Sequence, residues 1–190
     1  MINLFISFAF LVCAYLAGSL PFSIWVTRFL KNVDVRDSGS GHATTTNTIR
    51  QDLLKGFIPT WLAYHYAPYQ WITPFVAAFA VAGHCWPIFA NFRGGMGLAT
   101  SGAAILAINP IFGLIGLGLL IILVLIIRHS AKAAVVVGVL LSPFYYLLGA
   151  RGILIGLSAA VGIVIALRFT IDWNRKYREL WLDRELENKM

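Results

Sequence analysis

Long apolar runs alternate with short polar stretches along this chain, and the lengths of the runs predict membrane helices. A helix needs roughly 20 apolar residues to cross the hydrocarbon core of a bilayer. Runs of about that length occupy 3–26, 71–90, 110–127, 132–149 and 151–171. Two shorter runs occupy 53–67 and 98–108, and Asn109-Pro110 separates the latter from the run that follows it. The pattern therefore predicts about seven helical segments, two of them short.

The composition places these helices in lipid. Hydrophobic residues make up 59% of the 190 residues and charged residues only 12%, whereas soluble domains are about 45–50% apolar and about 25% charged. A water-soluble core of this size could not bury so much apolar surface. Because backbone groups in lipid must be satisfied within the chain, helices are the expected element. We predict an all-α, polytopic membrane helix bundle that forms a single domain over 1–190.

The basic residues predict how the bundle is oriented. With the N-terminus placed outside and the connections alternating, all of the 15 lysines and arginines except Arg151 lie on the inner side. Such an asymmetry is the mark of cytoplasmic loops and suits an anionic lipid surface. The predicted cytoplasmic parts are the loops at about 28–52, 91–97 and 128–132 and the tail 172–190. The charges are dispersed and lack a nucleic-acid motif, so no nucleic-acid partner is expected.

The first predicted cytoplasmic loop contains residue types that suit an anionic ligand. Its glycines let the backbone approach a ligand, and successive N–H groups in such turns bind anions. Its arginines match phosphate or carboxylate, while hydroxyl and amide groups add neutral donors. A solvated linker rich in turn formers is the competing interpretation. The candidates are Arg36, Gly39, Ser40, Gly41, Asn47 and Arg50.

A glycine-rich loop before the short segment 98–108 is a second candidate for phosphate binding. Glycines and an arginine just before a helix fit an anion at a helix N-terminus, although such glycines also permit close helix packing. The candidates in this loop are Arg93, Gly94, Gly95 and Gly97.

Three ionisable residues lie next to these loops. His84 stands inside an apolar run, where it is expected to be neutral and hydrogen-bonded. Asp52 and Lys55 are three residues apart and share a helix face; at membrane depth they indicate function, whereas near the interface they form an ordinary ion pair. No metal cluster, dinucleotide fingerprint or P-loop is visible, so neither a metal nor a cofactor is predicted.

Several motifs follow one another in an order that resembles a known family. They are Gly18-Ser19-Leu20-Pro21, Asp34-Val35-Arg36, Gly39-Ser40-Gly41, Thr46-Asn47, Arg50, Asp52-Leu53-Leu54-Lys55-Gly56 and the stretch from Gly83-His84 to Thr100. Over roughly 14–130 the chain resembles the bacterial acyl-phosphate:glycerol-3-phosphate acyltransferases. These are small integral proteins of the inner membrane with seven helices.

The resemblance implies an activity and a set of site residues. Members move an acyl group from acyl phosphate to the sn-1 hydroxyl of glycerol 3-phosphate, giving lysophosphatidic acid for phospholipid synthesis. It implies catalytic roles for Ser40, Asn47, Arg50 and His84. It implies substrate or phosphate binding for Arg36, Gly39, Gly41, Asp52, Lys55, Arg93, Gly94, Gly95, Gly97 and Thr100.

The chain departs from the family pattern at several positions. Met96 stands where the family's glycine loop has lysine, Ala131 and Ala134 replace serines, and Phe169 replaces a histidine. A stretch usual between Arg50 and Asp52 is missing, which predicts a shortened second helix. Two alternatives to the acyltransferase therefore stand: a catalytically degenerate relative that only binds phosphorylated lipid precursors, and a small membrane transporter.

Overall fold

The computed structural model describes residues 1–20 and 42–171, with the backbone alone for 42–48, and its regular structure there is helical. Seven α-helices lie in these ranges, together with 3-10 turns at Gln70–Ile72 and Ile88–Ala90. The helices are α1 (Ile2–Ser19), α2 (His42–Tyr66), α3 (Thr73–Cys85), α4 (Leu98–Ile108), α5 (Pro110–Ile127), α6 (Ser130–Leu147) and α7 (Ile153–Ile171).

Two helices end earlier than their apolar runs predict, and both end before a proline. The first helix was expected over 3–26, but α1 ends at Ser19 and Leu20 is extended, with φ −65° and ψ 117°. The run 71–90 was expected to be one helix, but α3 ends at Cys85 and Trp86 has φ −130° and ψ 68°. The ring of a proline disfavours the α conformation in the residue before it, and Pro21 and Pro87 follow these two residues.

The second helix begins earlier than predicted, so the prediction of a short segment at 53–67 and of a loop reaching residue 52 is wrong. Helix α2 starts at His42 and runs for 25 residues, with Pro59 inside it. The polar, threonine-rich stretch at its start lacks a hydrophobic period, and the sequence by itself therefore predicts a loop there. Propensity is a weak guide, and extending an existing helix is far easier than nucleating one.

The connections around α5 follow the sequence more closely. The predicted break at Asn109-Pro110 is confirmed: the Asn109 side chain accepts hydrogen bonds from the backbone N–H groups of Ile111 at 3.1 Å and Phe112 at 3.3 Å. The loop expected at 128–132 is shorter than predicted. Helix α6 already starts at Ser130, where the His129 imidazole accepts from the backbone N–H of Lys132 at 3.4 Å. These side chains satisfy backbone donors that a helix N-terminus leaves unpaired.

Five segments are long and apolar enough to cross a membrane: α1, the stretch Gln70–Ala90, α5, α6 and α7. Helix α5 shows the lipid-facing character most clearly, because only 11% of it is buried against the rest of the chain. Its exposed isoleucines and leucines would be unfavourable in water but not in hydrocarbon. Helix α4 is apolar but only 11 residues long, and α2 carries several charged and polar residues.

Close helix crossings bring the candidate residues together. A Cβ atom at Gly18 of α1 would lie 2.1 Å from the Ala80 carbonyl oxygen of α3, and one at Gly56 of α2 would lie 1.9 Å from the Thr100 carbonyl oxygen of α4. Only glycine fits such approaches, which are common where membrane helices pack. Helix α1 therefore crosses α3 closely, and α2 crosses α4 closely, near the end of the bundle that carries Asp52, His84 and the glycine loop.

Candidate functional site

The loop 91–97 connects a 3-10 turn to the start of α4 and is tied to the end of α3. The backbone N–H of Gly95 donates to the His84 carbonyl oxygen at 3.2 Å. Gly97 has φ +80°, a conformation that favours glycine, and a Cβ there would lie 2.7 Å from the Cys85 sulfur. The loop is irregular as expected, but the Gly95 N–H is already paired and is not presented to a ligand.

The His84 imidazole packs directly against this loop. A Cβ at Gly95 would lie 2.2 Å from His84 Nε2, and one at Gly94 would lie 2.1 Å from the His84 carbonyl oxygen. Glycines at both positions are therefore required for the loop to lie on the histidine. Of the two interpretations of the loop glycines, anion binding and close packing, the contacts of Gly94 and Gly95 with His84 support close packing.

Asp52 links helix α2 to helix α3 across this contact. Its Oδ1 atom lies 3.3 Å from His84 Nδ1 and 3.5 Å from Lys55 Nζ. The Lys55 side chain is 8% exposed and that of Asp52 is 17% exposed. The predicted Asp52–Lys55 pair is thus present, but it is buried in the protein and shared with His84 rather than lying at an exposed helix end. Buried charges of this kind must be paired and hydrogen-bonded to be tolerated.

Arg168, near the end of α7, holds the glycine loop from the other side. Its Nε donates to the Gly95 carbonyl at 3.1 Å and its Nη2 to the Gly94 carbonyl at 3.4 Å, and the side chain is buried. This role is not evident from the sequence, in which Arg168 is one of the basic residues on the predicted inner side. The available signal was that Arg168 is the only charged residue after Arg151 in the apolar run 151–171, since charged residues in spans tend to be functional.

The remaining predicted residues divide into three groups. Arg36, Gly39, Ser40 and Gly41 lie outside the described residues, and only the backbone of Asn47 is described, within α2. Arg50 and Arg93 are exposed, and neither forms a hydrogen bond or ion pair with another described candidate. Thr100 is fully buried under Gly56, with its hydroxyl oxygen unpaired in the described part of the chain. The structure thus joins Asp52, Lys55, His84, Gly94 and Gly95 by direct contacts, and Gly97 and Thr100 lie at the adjoining start of α4.

The positions that depart from the resemblance serve packing. Ala131, Ala134 and Phe169 are buried in the main core between the helices, and Met96 packs against that core. In the described ranges, no three His, Cys, Asp or Glu side chains gather as a metal site would require. The site thus contains a buried ionic cluster and a glycine loop held by hydrogen bonds from Arg168. Arg50 and Arg93, both exposed, are close in sequence to the cluster and to the loop.

Comparisons with known proteins agree with this fold. A family model described as glycerol-3-phosphate acyltransferase matches residues 8–180. Relatives called glycerol-3-phosphate acyltransferase include one from Rubrobacter xylanophilus, 39% identical over 78% of this chain and 79% of its own length. Another, from Bordetella petrii, is 34% identical over 87% of this chain and 84% of its own length.

Two solved structures match as well. Both are crystal structures of PlsY (YgiH), an integral membrane glycerol 3-phosphate acyltransferase. The glycerol 3-phosphate form is 27% identical with a TM-score of 0.70, and the lysophosphatidic acid form is 25% identical with a TM-score of 0.72. Each match covers 89% of this chain and 90% of the other.

Fold and similarity together define an integral, multi-pass bacterial membrane protein of the acyltransferase class. The chain belongs to the glycerol-3-phosphate acyltransferase family. The family resemblance drawn from the motifs is therefore confirmed, and the transporter alternative loses its basis.

The contacts of Arg168 lead to a testable expectation. Replacing Arg168 by methionine removes two charge-assisted hydrogen bonds to the loop, each worth about 1.5–3 kcal/mol. We expect the KM for the phosphate-bearing substrates to rise by an order of magnitude or more, with a smaller change in kcat. Lysine at 168 keeps the charge but not the fork of donors, so it should restore part of the KM. Steady-state kinetics of the purified variants, beside their thermal unfolding, provide the measurement. If the Arg168→Met variant has a lower kcat and a lower unfolding temperature but an unchanged KM, Arg168 only supports the fold.

Proposed function

We propose that this chain transfers an acyl group from acyl phosphate to the sn-1 hydroxyl of glycerol 3-phosphate in the bacterial inner membrane, as a step of phospholipid synthesis. The bond between the acyl carbon and the phosphate oxygen breaks, and an ester bond forms to the glycerol oxygen. The hydroxyl proton passes to the departing phosphate, and the products are lysophosphatidic acid and inorganic phosphate. The observation that carries the proposal is the meeting of the Asp52–Lys55–His84 cluster with the glycine loop in a chain of this family.

Phosphate is a good leaving group, so the reaction needs no strong protein nucleophile. The work of the site is to position two substrates and to neutralise their charge. In the proposed site, Arg36 and Arg50 bind phosphate, aided by the backbone of Gly39 and Gly41, and Ser40 and Asn47 orient the substrates. Arg93 supplies the cation that Met96 does not.

The cluster of Asp52, Lys55 and His84 packs against the glycine loop and supports this arrangement. Asp52 holds the His84 ring, and the ring and backbone of His84 hold Gly94 and Gly95. His84 and Asp52 therefore act as positioning residues for the loop. Lys55, buried beside Asp52 at 3.5 Å, is the cationic partner of that carboxylate. Gly97 sets the turn into α4, whose first residues include Thr100.

We further propose the membrane arrangement that the charges favour. Seven segments, the short ones being α4 and the second half of α2, place the N-terminus outside. The chain that leads from residue 28 into the start of α2, the loop 91–97, the connection between α5 and α6 and the tail 172–190 then lie in the cytoplasm. All 15 basic residues except Arg151 then lie inside. Both proposed phosphate-binding loops face the side where phosphorylated metabolites are made. The five segments long enough to cross a membrane support the bundle, and the charge asymmetry supports its direction.

The direct test uses the purified full-length protein in detergent or liposomes with acyl phosphate and glycerol 3-phosphate. We expect lysophosphatidic acid and inorganic phosphate to appear in equal amounts, and neither to appear when one substrate is omitted. A protein that binds both substrates but forms no product would be the degenerate relative that Met96, Ala131, Ala134 and Phe169 raise as an alternative. Product formation at rates typical of an enzyme eliminates that alternative.

A further inference from the structure

A cavity of about 400 Å³ lies at the end of the bundle opposite the glycine loop. Helix α2 runs from Asp52, beside the loop, to Tyr64 at the cavity, a distance of about 18 Å along the helix. The end of α4, the starts of α5 and α7 and the connection between α6 and α7 complete the lining. Sites for small molecules have volumes of about 300–1,000 Å³. This cavity is therefore large enough for a ligand, and it is separate from the proposed active site.

Arg151 is the charged residue of the cavity, and its own chain fixes its position. Its Nη1 atom donates to the carbonyl oxygens of Tyr146 at 2.9 Å and Ala150 at 2.7 Å. Its Cζ atom lies 4.2 Å from the centroid of the Tyr146 ring. The Nε and Nη2 atoms, which carry three further N–H groups, have no acceptor among the described residues. The edge formed by these two nitrogen atoms is a planar fork of donors that matches phosphate.

The charge of Arg151 has no counter-charge at this end of the bundle in the described part of the chain. All eight acidic residues lie within 28–52 or 172–190, on the predicted cytoplasmic side. Every other basic residue lies on that side as well, as membrane proteins prefer. Arg151 thus presents a fixed guanidinium group to a cavity that has room for an anion from outside the chain.

Two neutral residues add hydrogen-bond donors to the cavity. The Asn109 side chain caps α5 through its Oδ1 atom, and its NH₂ group donates to no described residue. The Tyr64 ring packs edge-on against His65, with centroids 5.1 Å apart, and its hydroxyl group has no hydrogen bond within the described ranges. Both side chains line the cavity, so their donors can reach the oxygens of the same anion as Arg151.

The surroundings of the cavity indicate that a lipid supplies the anion. Ile108, Phe112 and Ile153 give the cavity an apolar wall beside the polar one. Tryptophan and tyrosine are enriched where hydrocarbon meets the lipid headgroups. Those exposed at this end of the bundle are Trp61, Tyr66, Tyr69 and Trp71. A ligand with a phosphate group next to apolar chains fits both walls, whereas no lining carboxylate would receive a cationic headgroup.

We propose that this cavity binds the phosphate group of an anionic phospholipid from the adjoining membrane surface. The Nε–Nη2 edge of Arg151 holds two phosphate oxygens, and Asn109 and Tyr64 donate to the same group. The apolar wall contacts the first part of the acyl chains. In the proposed membrane arrangement this lipid belongs to the outer leaflet, so it is neither a substrate nor a product of transfer on the cytoplasmic side.

The test measures ligand binding to the purified full-length protein in detergent. Phosphatidylglycerol, phosphatidylcholine and inorganic phosphate are titrated separately, native mass spectrometry counts the bound lipids, and thermal unfolding reports stabilisation. Phosphatidylglycerol should remain bound and raise the unfolding midpoint, as a ligand of the folded state does. Phosphatidylcholine, which has no net charge, should do so much less. Inorganic phosphate lacks the apolar part and should require a far higher concentration.

Two substitutions remove phosphate contacts while keeping the structural roles of the residues. Arg151→Lys keeps the charge and a donor for the backbone carbonyls but lacks the planar fork. Asn109→Asp keeps the helix cap but loses the NH₂ donors and places a carboxylate beside the phosphate. Each should weaken the binding of phosphatidylglycerol by about tenfold or more, since a hydrogen bond to a charged group contributes at least that factor. If Arg151→Lys does not fold, Asn109→Asp decides.

Arg128→Asn is the matched control, because Arg128 is an exposed basic residue at the other end of α5. This variant should bind phosphatidylglycerol as the wild type does. An equal weakening in Arg128→Asn would reveal a general attraction between a basic protein and an anionic lipid, and the site would be refuted. Unchanged affinity in the folded Arg151 and Asn109 variants would show that Arg151 only caps the end of α6. Stabilisation by inorganic phosphate that depends on Arg151 and matches that of the lipid would exclude a lipid as the occupant.

Discussion

Replacing Arg50 by alanine should abolish acyl transfer while the protein still inserts and folds. Arg50 lies on α2, two residues before Asp52, whose carboxylate contacts the histidine beneath the glycine loop. Its side chain is exposed and forms no hydrogen bond within the described residues, so the fold loses little. A guanidinium group is well suited to hold phosphate at two points. Removing one such electrostatic contact typically lowers kcat by about 100- to 1,000-fold.

The control for this substitution is Arg128, another basic residue on the predicted cytoplasmic side of the membrane. Arg128 caps α5 with φ +55°, and asparagine tolerates that conformation, so Arg128→Asn removes a charge without straining the backbone. It should retain activity. Arg50→Lys should recover only part of the lost rate, because lysine has no planar fork of donors. Purified Arg50→Ala with near-normal turnover would exclude Arg50 from the phosphate site.

Replacing Asp52 by alanine should destabilise the protein more than any other single change in the described cluster. Asp52 is the shared partner of Lys55 and His84, and its loss leaves a buried lysine without that carboxylate. Removing one partner of a buried ion pair costs about 3–5 kcal/mol. Thermal unfolding in detergent should show a clearly lower midpoint, and activity should fall as the glycine loop loses its support.

A double substitution separates the two effects. Asp52→Leu combined with Lys55→Met replaces both charges by apolar groups, which often restores or exceeds the original stability. We expect the double variant to unfold near the wild-type temperature yet to remain poorly active, because His84 no longer has the carboxylate that orients it. If the single variant is as stable as the wild type, Asp52 is not a structural partner of Lys55. If the double variant is fully active, the cluster does not position the site.

Much of the helical arrangement could be predicted because lipid selects for hydropathy along the chain. The apolar runs at 98–108 and 110–127 correspond to helices with those same bounds, and Asn109 marks the break between them. The runs 132–149 and 151–171 are recovered with shifts of about two residues at their ends. Helices α1 and α3 instead end within their apolar runs, one residue before the residue that precedes Pro21 or Pro87. The proline effect is local and was readable in the sequence, but run length outweighed it in the prediction.

The start of α2 was harder to predict, since its polar, threonine-rich residues carry no hydrophobic period. Its helical state depends on the helix that continues to Tyr66 and on the close crossing of Gly56 with Thr100. A shortened helix was expected because a stretch is missing between Arg50 and Asp52. Helix α2 nevertheless has 25 residues, because the segment before Arg50 is itself helical.

For this protein, the sequence alone determined the membrane class, the approximate spans, the acyltransferase family and the glycine loop, because hydropathy and motif spacing are properties of the linear chain. Only the tertiary structure decided that Arg168, 73 residues beyond Gly95 along the chain, holds that loop, and that Asp52 joins His84 to Lys55. Such contacts depend on which helix faces meet and how closely they cross, and no local pattern in one helix specifies its neighbour.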